Sequence, residues 1–456
     1  MTQLSQYKTA IVLGLGSSGV AAAKLLAGEG TSVTVIDSGD SAELRSRAAG
    51  LDAAGVKVVL GVKILPNEDF EVCVLSPGIP AESKWVIELE GRGVEVLAEL
   101  EFGWRRCQCH VLAITGSNGK STMAKLCKEA FEEQGFRTEL AGNYGLPVSA
   151  VALSRTKVDW LVLEVSSFQL ERTVRFRPDV GVLLNLLPNH LDRHGDMASY
   201  GRLKARLFAN MLSGDTAVVH EDLAVMVKSM APGPQTWTTF GNSGAADFAY
   251  APGGVVYRPA GKELKTGTVP FEGTVFDNEI LGLTAAAASA AMVACGVAPS
   301  CVALAAKAFK PLPHRMERVV ETGGVEFIDD SKATNLAGMA AALRICKRPV
   351  RLLAGGRLKE KDLISVKELL VKKVVMVYLF GEAKFVLDLA WRDSVACVLF
   401  ESLAAAATAA WKDSRPGDVV LLSPACTSFD QFRSFEERGE KFSQLVRSFV
   451  TEEKEK

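Results

Sequence analysis

The stretch "AITGSNGKST" (residues 113–122) decides the fold of the middle of the chain. It continues the apolar run "HVLAIT" (110–115) and leads into "STMAKLCKEAFEEQG" (121–135), whose apolar residues recur at helical spacing. A strand, a loop of small residues and a helix in this order predict a phosphate-binding loop, because the loop directs several backbone N–H groups at an anion. A chance turn of small residues capped by serine is the alternative.

The loop departs from the usual phosphate-loop spacing. That spacing needs a glycine five residues before Gly119, where this chain has Ile114, and the nearest glycine is Gly116. The pattern therefore indicates a tighter variant of the loop. Lys120 adds a positive charge, and the hydroxyl group of Ser121 or its neighbour Thr122 can reach a bound Mg²⁺.

Two further strand ends in the middle segment carry polar residues. The apolar run "WLVLEVSSFQL" (160–170) contains Glu164 at the end of its strand, where a carboxylate beside a phosphate loop can hold Mg²⁺. Read by itself, Glu164 would rather be interpreted as an exposed acid at a strand end. In "LLNLLPNHLDRHG" (183–195), His190 and His194 stand four residues apart, but a zinc-protease helix needs Glu directly after the first His. We reject that interpretation.

The N-terminal segment carries a glycine-rich turn of its own. "GLGSSG" (14–19) follows the first predicted strand and precedes an alanine-rich helix, and Asp37 ends the next strand. In dinucleotide-binding folds such glycines let the backbone approach a diphosphate, and the acid binds a ribose. The pattern fits a bound nucleotide diphosphate and a plain strand–helix turn equally well, and it does not identify the nucleotide.

Composition limits the class of protein. The hydrophobic fraction of 48% is ordinary for a water-soluble globular protein, and the formal net charge of -1 argues against a nucleic-acid partner. The nine cysteines include no CxxC pair, which favours reduced thiols in the cytoplasm. The apolar stretch "LTAAAASAAMVACGVA" (283–298) consists mostly of alanine, so we expect a packed helix rather than a membrane span.

The order of the apolar runs predicts a three-domain α/β protein. Short β-branched runs alternate with longer helical stretches, as in parallel sheets built from βαβ units. Breaks near residues 102–106 and 309–315 predict domains at 1–102, 103–312 and 313–456. Between about residues 216 and 270 the pattern is shorter and richer in Gly and Pro, which indicates pieces of β-meander.

The motifs of the middle segment resemble a known family. "TGSNGKST" (115–122), "LEVSSFQL" (163–170), "NHLDRH" (189–194) and "SYGRLKARLF" (199–208) are similar to the central domain of the Mur ligases and the related folylpolyglutamate synthases, which use the shortened loop. The resemblance implies an ATP site at Gly116, Ser117, Asn118, Gly119, Lys120, Ser121 and Thr122. It implies catalytic roles for Lys120, Glu164, His190 and Lys204, and a magnesium site formed by Ser121, Glu164, His190 and Lys204, the last as a carbamate.

The C-terminal segment resembles the D-glutamate-adding branch of the same family. The stretches that carry the resemblance are "LPHRME" (312–317), "FIDDSKATN" (327–335) and "LLSPACTSFDQFRSFEERGEKF" (421–442). They imply ATP contacts at His314, Arg315 and Lys332, and a D-glutamate site at Thr334, Lys359, Ser428 and Phe435, with Lys361 competing for the role of Lys359. In the first two domains the resemblance implies a UDP-substrate site at Ser18, Asp37, Ser76, Asn143 and His190.

The resemblance also implies an activity. The expected fold is a Rossmann-like N-terminal domain, a central P-loop-type ATP-binding domain with a mainly parallel sheet, and a Rossmann-like C-terminal domain. The expected reaction is ATP-dependent addition of D-glutamate to UDP-N-acetylmuramoyl-L-alanine through an acyl phosphate, with ATP and Mg²⁺ as cofactors. It would serve peptidoglycan synthesis and, through it, cell shape and division. We expect a cytoplasmic monomer whose partners are small-molecule substrates.

One stretch departs from the family pattern, and other functions remain open. The family usually carries His-Asn-x-x-Asn before the alanine-rich helix, whereas this chain has "FDNEILGLTAAAASAA" (276–291), with Asn278 as the nearest candidate. A binding protein that has lost catalysis is therefore one alternative. A nicotinamide-dependent oxidoreductase built on "GLGSSG" is another, but it leaves residues 113–204 unexplained. Within the ligases, another Mur ligase or a folate polyglutamate ligase is the nearest alternative.

Overall fold

The computed structural model describes residues 7–154, 156–258, 266–360 and 362–454. The chain divides into two compact units. The first comprises Met1–Leu186, Asp196–Asp277 and Gly282–Ala308, and the second comprises Leu187–Gly195, Asn278–Leu281 and Phe309–Lys456.

The first unit begins with a parallel sheet in the order β3-β2-β1-β4-β5. The direction of winding reverses between β1 and β4, and such a switch point opens a crevice at the carboxyl ends of the strands. Its strands are β1 (Thr9–Leu13), β2 (Ser32–Ile36), β3 (Lys57–Val59), β4 (Val72–Leu75) and β5 (Glu95–Ala98), and its helices are α1 (Ser17–Gly28), α2 (Ala42–Asp52), α3 (Lys84–Gly91) and α4 (Glu99–Trp104).

Burial on both faces explains the apolar composition of these strands. Every residue of β4 is buried, and so are the last four residues of β1, as is typical of a parallel sheet covered by helices. Serine side chains define the starts of two helices: Ser41 accepts a hydrogen bond from Leu44 N, and Ser83 accepts one from Val86 N.

The first unit continues with a larger sheet in the order β14-β13-β12-β11-β10-β9-β6-β8-β7. Its strands are β6 (His110–Thr115), β7 (Thr138–Gly142), β8 (Trp160–Glu164), β9 (Val180–Leu183), β10 (Thr216–His220), β11 (Thr236–Gly241), β12 (Phe248–Ala251), β13 (Gly254–Tyr257) and β14 (Gly267–Pro270). Across the sheet, neighbouring strands pair in parallel from β7 at one edge as far as β12. Strands β12, β13 and β14 form antiparallel hairpins.

The helices of this sheet bring distant parts of the chain together. They are α5 (Lys120–Glu133), α6 (Val148–Ser154), α7 (Ser167–Leu170), α9 (Met197–Ala205), α10 (Ala224–Met230), α11 (Glu279–Ala294) and α12 (Pro299–Ala308), with 3₁₀ turns at Arg206–Phe208 and Glu221–Leu223. Helix α12 packs against α5, and Gln134 accepts a hydrogen bond from Ala298 N at 3.1 Å. Most of α11 is buried, as its alanine content predicts. Across the described residues, no helix has the length and apolar character needed to span a membrane.

A buried carboxylate joins the two sheets of the first unit. The side chain of Glu101, which is wholly buried, accepts hydrogen bonds from Arg105 Nε at 3.0 Å and from Arg175 N at 2.9 Å. Nearby, the Arg172 guanidinium bonds to Glu90 at 2.5 Å. The segment that leads into β9 is thereby tied to α3 and α4 of the N-terminal segment.

The second unit contains a sheet in the order β15-β16-β20-β17-β18-β19. Strand β15 runs antiparallel at one edge, and the other pairs are parallel. The strands are β15 (Glu317–Thr322), β16 (Val325–Asp329), β17 (Val350–Gly355), β18 (Val374–Phe380), β19 (Cys397–Leu399) and β20 (Val419–Leu422). The helices assigned here are α8 (Leu191–His194), α13 (Leu336–Ile345), α14 (Lys367–Lys373), α15 (Lys384–Trp391), α16 (Leu403–Asp413) and α17 (Phe435–Lys454).

The α/β fold class and the mainly parallel sheets are confirmed. The meander predicted for residues 216–270 is confirmed only for β12–β14, because β10 and β11 belong to the parallel part of the sheet and are connected through α10. The domain boundary expected at 102/103 falls inside α4. The predicted domain ranges 1–102, 103–312 and 313–456 stay predictions.

Candidate active site

The phosphate loop connects β6 to α5 and needs glycine at two positions. Gly116 has φ +152° and Gly119 has φ +85°, both in the left-handed region that side chains disfavour. A Cβ at residue 116 would also lie 2.9 Å from the Cβ of Leu184. The loop therefore turns tightly enough to place Lys120 and Ser121 in the first turn of α5.

An asparagine that the sequence did not single out holds this loop in shape. The Asn185 side-chain oxygen accepts hydrogen bonds from Ser117 N and Asn118 N, both at 3.0 Å. Its amide nitrogen donates to Asn118 O at 3.1 Å. The available signal was a polar residue directly after a predicted strand, and only the pairing of β9 with β6 places it beside the loop.

The predicted magnesium ligands Ser121 and Glu164 lie together. Ser121 Oγ donates to Glu164 Oε2 at 2.6 Å, and Asn143 Nδ2 donates to Glu164 Oε1 at 2.6 Å. Glu164 is 3% exposed and ends β8, which pairs with β6. The structure therefore brings Asn143, predicted for the UDP substrate, to the same carboxylate.

Two lysine side chains converge on one carbonyl group of the loop. Lys120 Nζ donates to Gly116 O at 2.9 Å, and Lys204 Nζ donates to the same oxygen at 2.9 Å. Lys204 is 1% exposed, and its amine lies 4.6 Å from the centre of the Tyr200 ring. Burial, followed by the nearby charge of Lys120, lowers the pKa of Lys204 well below its usual value, while Glu164 opposes the shift. At a given pH, a larger fraction of Lys204 is therefore the neutral amine than for an exposed lysine.

Three of the residues predicted for the UDP substrate follow strands of the first sheet. Ser76 Oγ donates to Gly14 O at 3.1 Å, and Ser18 lies in the first turn of α1. The Asp37 carboxylate accepts hydrogen bonds from Leu15 N and Gly39 N, both at 2.8 Å, so it also fixes the glycine-rich turn. The structure brings Ser18, Asp37 and Ser76 to one end of the sheet.

Backbone strain in the second unit accompanies the predicted ATP residues there. His314 and Met316 adopt φ +58° and +47°, which costs on the order of 1–3 kcal/mol at a non-glycine residue. His314 Nδ1 hydrogen-bonds to Asp329 Oδ2 at 2.7 Å, and His314 O accepts from Lys332 N at 3.1 Å. His314 N donates to Glu317 at 2.9 Å, so hydrogen bonds alone account for this cluster of His and acidic side chains. Arg315 follows His314 directly.

Lys332 contacts one of the residues predicted for D-glutamate. Its ammonium group lies 4.7 Å from the centre of the Phe435 ring, which is within cation–π range. Residues assigned to two different substrates by resemblance therefore touch each other in the second unit. Thr334 belongs to the same loop, since its N–H donates to Lys332 O at 2.9 Å.

The remaining predicted D-glutamate residues lie on paired loops. Ser428 is 2% exposed, and Thr427 next to it exchanges backbone hydrogen bonds with Arg357 at 2.9 and 3.0 Å. This pairing carries the segment that contains Lys359, an exposed residue, and Lys361 lies outside the described residues. The neighbouring Glu360 accepts a hydrogen bond from Leu336 N, at the start of the helix that follows Thr334.

Sequence reasoning missed Asp330, the second acid of "FIDD". It accepts hydrogen bonds from Ser423 Oγ at 2.7 Å and from Met316 N at 3.2 Å. Burial raises its pKa to about 7. The signal was its place directly after a strand, beside the predicted Lys332.

Comparison with known proteins assigns the chain to a family. Family models match residues 8–98 ("Mur ligase MurD-like, N-terminal domain"), 114–298 ("Mur ligase middle domain") and 314–426 ("Mur ligase, glutamate ligase domain"). The chain belongs to the Mur ligase family.

Curated Mur ligases are similar over nearly their whole length. The UDP-N-acetylmuramoylalanine–D-glutamate ligase of Desulfovibrio desulfuricans is 38% identical over 97% of this chain and 97% of its own. The protein of that name from Koribacter versatilis is 35% identical over 98% and 99%. Solved Mur ligases share the fold. MurF from Thermotoga maritima in complex with ADP superposes with a TM-score of 0.61 at 17% identity, over 99% of this chain and 100% of its own. MurC from the same organism superposes with a TM-score of 0.61 at 14% identity, over 97% of this chain and 99% of its own.

In this Mur ligase the residues of the first unit fit a magnesium ion. Mg²⁺ prefers oxygen ligands, and the buried Glu164 carboxylate and the Ser121 hydroxyl group meet beside the phosphate loop. An unmodified lysine offers no oxygen, whereas a carbamate on Lys204 would, and the neutral amine is the form that adds CO₂. The place of His190 at this site stays a prediction, because His190 belongs to the second unit. His190 has φ +54°, a second strained histidine of this Mur ligase.

The altered stretch of this Mur ligase has a structural role. The Asn278 side-chain oxygen accepts hydrogen bonds from Ile280 N at 3.1 Å and from Leu281 N at 3.0 Å, where α11 begins. Asn278 therefore caps a helix.

Proposed function

We propose that this Mur ligase joins D-glutamate to UDP-N-acetylmuramoyl-L-alanine with the hydrolysis of ATP, as a step of peptidoglycan precursor synthesis. One observation carries the proposal: relatives that bear this activity in their names are 34–38% identical over at least 96% of the chain. The described geometry supports it, since a phosphate loop and a buried carboxylate lie together at the carboxyl ends of β6 and β8.

The reaction needs two substrates of like charge to meet. A carboxylate oxygen of UDP-N-acetylmuramoyl-L-alanine attacks the terminal phosphorus of ATP, and ADP leaves. The resulting acyl phosphate is attacked at its carbonyl carbon by the amine of D-glutamate, which loses a proton, and the tetrahedral intermediate expels phosphate. Most of the catalysis is therefore positioning and neutralisation of charge.

Residues of the phosphate loop supply part of that neutralisation. The Lys120 ammonium group, held over Gly116 O and Ser117 O at 2.9 and 3.0 Å, is placed to bind phosphate oxygens. Ser121, Glu164 and a carbamylated Lys204 would hold Mg²⁺, with His190 as a further ligand. When bound, the ion offsets repulsion between the triphosphate and the acceptor carboxylate.

The other predicted residues divide between the substrates. Ser18, Asp37, Ser76 and Asn143 bind the UDP substrate, and His314, Arg315 and Lys332 contact ATP. The amino acid is bound by Thr334, Lys359, Ser428 and Phe435. The predicted ATP residues occur in both units. The monomeric state and the cytoplasmic location stay predictions.

A phosphate-release assay with a panel of amino acids tests the proposal. Purified protein, ATP, Mg²⁺ and UDP-N-acetylmuramoyl-L-alanine are incubated with D-glutamate, L-glutamate, L-lysine, meso-diaminopimelate or L-alanine. We expect phosphate release with D-glutamate alone, and none when the acceptor is omitted. Equal release with L-glutamate, or release that needs no acceptor, would overturn the proposal.

A further inference from the structure

Arg438, near the start of α17, is an arginine with no exposed surface. Its guanidinium group donates to Ser331 Oγ at 2.9 Å, Ser331 O at 2.7 Å and Cys426 O at 3.0 Å. Every one of these acceptors is uncharged, and within the described part of the chain no ion pair joins Arg438 to a carboxylate. Burial lowers its pKa only to about 10, so the group keeps its charge at neutral pH.

The acceptors of Arg438 belong to two loops that carry predicted substrate residues. Ser331 precedes Lys332 and Thr334 in one loop, and Cys426 lies two residues before Ser428 in the other. Ser331 Oγ, which accepts from Arg438 Nε, donates in turn to Phe435 O at 2.8 Å. One side chain thus joins the carboxyl ends of β16 and β20 to the first turn of α17.

Close packing around Arg438 leaves these loops little freedom. A Cβ at Gly356, after β17, would lie 3.2 Å from Arg438 Nη1. On the other side, a Cβ at Gly439 would lie 2.2 Å from His314 Nδ1. The guanidinium group therefore lies where the carboxyl ends of β16, β17 and β20 meet the start of α17.

The carboxyl groups of Asp329, Asp330 and Asp430 lie near enough to stabilise the charge of Arg438, but its direct hydrogen bonds go to the two loops. Apolar residues of similar volume can replace buried charges without loss of stability, and often with a gain. We propose that Arg438 is a positioning residue for the amino-acid substrate: its hydrogen bonds fix the loops of Thr334 and Ser428 relative to each other and to Phe435 at the start of α17. This inference rests on the proposed function.

The geometry requires arginine rather than any cation. The planar fork donates in several fixed directions and reaches both loops at once, whereas a lysine ammonium is a single point charge on a flexible stem. We therefore expect Arg438→Lys to restore charge but not the spacing of the loops.

The test compares Arg438→Met, Arg438→Lys and the matched control Arg447→Met, which changes an exposed arginine of the same helix. For each variant the KM values for D-glutamate, ATP and UDP-N-acetylmuramoyl-L-alanine are measured by phosphate release. We expect Arg438→Met to raise the KM for D-glutamate about ten-fold or more, and that for ATP by less. We expect the KM for the acceptor to stay within about two-fold of the wild-type value. The KM for D-glutamate of Arg438→Lys should lie between those of Arg438→Met and wild type. All three KM values of Arg447→Met should match wild type.

Two results would overturn the inference. One is a loss of rate that follows the folded fraction, measured by circular dichroism, with every KM unchanged, as a purely structural role predicts. The other is an Arg438→Met variant that matches Arg447→Met. If Arg438→Met does not fold, Ser331→Ala, which removes one acceptor, must raise the KM for D-glutamate in the same direction. The wild-type amino-acid panel decides the proposed function separately, and whichever amino acid it identifies is used here.

Discussion

At the scale of single residues, Lys204 shows how a site can change the chemistry of a side chain. A buried lysine beside another ammonium group would repel a metal ion, but the depressed pKa of Lys204 favours the neutral amine that adds CO₂. We expect Lys204→Ala to lower kcat about 100-fold or more, since it removes a charge beside the transferred phosphoryl group. Formate or acetate should restore part of the rate, because a small carboxylate replaces the carbamate.

The control for this prediction is Lys228→Ala, which removes an exposed lysine and should leave the rate unchanged. Phosphate release is measured with and without added salts of equal ionic strength. Rescue by methylamine in place of formate would contradict the carbamate, since an amine replaces only the unmodified side chain.

Asp330 gives a pH dependence whose sign follows from its burial. Its pKa of about 7 lies above the ~4 of an unfolded aspartate, so the folded chain binds this proton more tightly. Its contribution to the free energy of unfolding is therefore present below about pH 4 and is lost as the pH rises through 7. We expect the free energy of unfolding of wild type, minus that of Asp330→Asn, to fall between pH 5 and 7 by up to about 1.4 kcal/mol per pH unit.

Urea unfolding at fixed ionic strength measures this difference. The matched control is Asp393→Asn, which changes an exposed aspartate and should give a difference that does not depend on pH over this range. A difference for Asp330→Asn that stays level or increases with pH would show that burial does not raise this pKa.

At the scale of elements, the phosphate loop depends on backbone geometry as much as on its lysine. Gly116→Ala places a methyl group 2.9 Å from Leu184 Cβ at φ +152°. We expect the loop to shift and the KM for ATP to rise about ten-fold or more, because a displacement of about 1 Å at a binding group is costly. Gly50→Ala, in α2 with open space around it, is the control. Equal KM values for the two variants would contradict the prediction.

Sequence patterns predicted elements best where both faces of a strand are buried. The runs of β1, β4, β6 and β8 are apolar in their interiors, with polar residues only at their ends, and follow from composition. Strand β7, "TELAG", escaped prediction because it lies at the edge of its sheet, where partial exposure permits polar residues and a glycine.

The same distinction applies to the candidate site. The phosphate loop and Glu164 could be predicted to lie together, because they follow strands whose carboxyl ends meet at one edge of a parallel sheet. Asn185 and Arg438 could not be placed, since their contacts depend on loops that are distant in sequence. The depressed pKa of Lys204 likewise depends on burial that a solvated helix position would not suggest.

At the scale of the whole molecule, the buried side chain of Glu101 joins the first two sheets through hydrogen bonds to Arg105 and Arg175. Glu101→Ala leaves the Arg175 N–H and the Arg105 guanidinium without this acceptor. We expect the free energy of unfolding of the first unit to fall by about 3 kcal/mol, as when one partner of a buried pair is removed. Urea unfolding measures this change, and Glu133→Ala, an exposed acid on α5, is the control. Equal stability of both variants would show that the sheets do not depend on Glu101.

The packing of α12 against α5 has a consequence for synthesis on the ribosome. Every strand of the first sheet lies within the first 98 residues, so that layer can form while translation continues. The face of α5 that packs against α12 gains this partner only when residues 299–308 emerge, about 180 positions after the helix begins. During that interval this face of α5 lacks the cover of α12, and a chaperone can bind it.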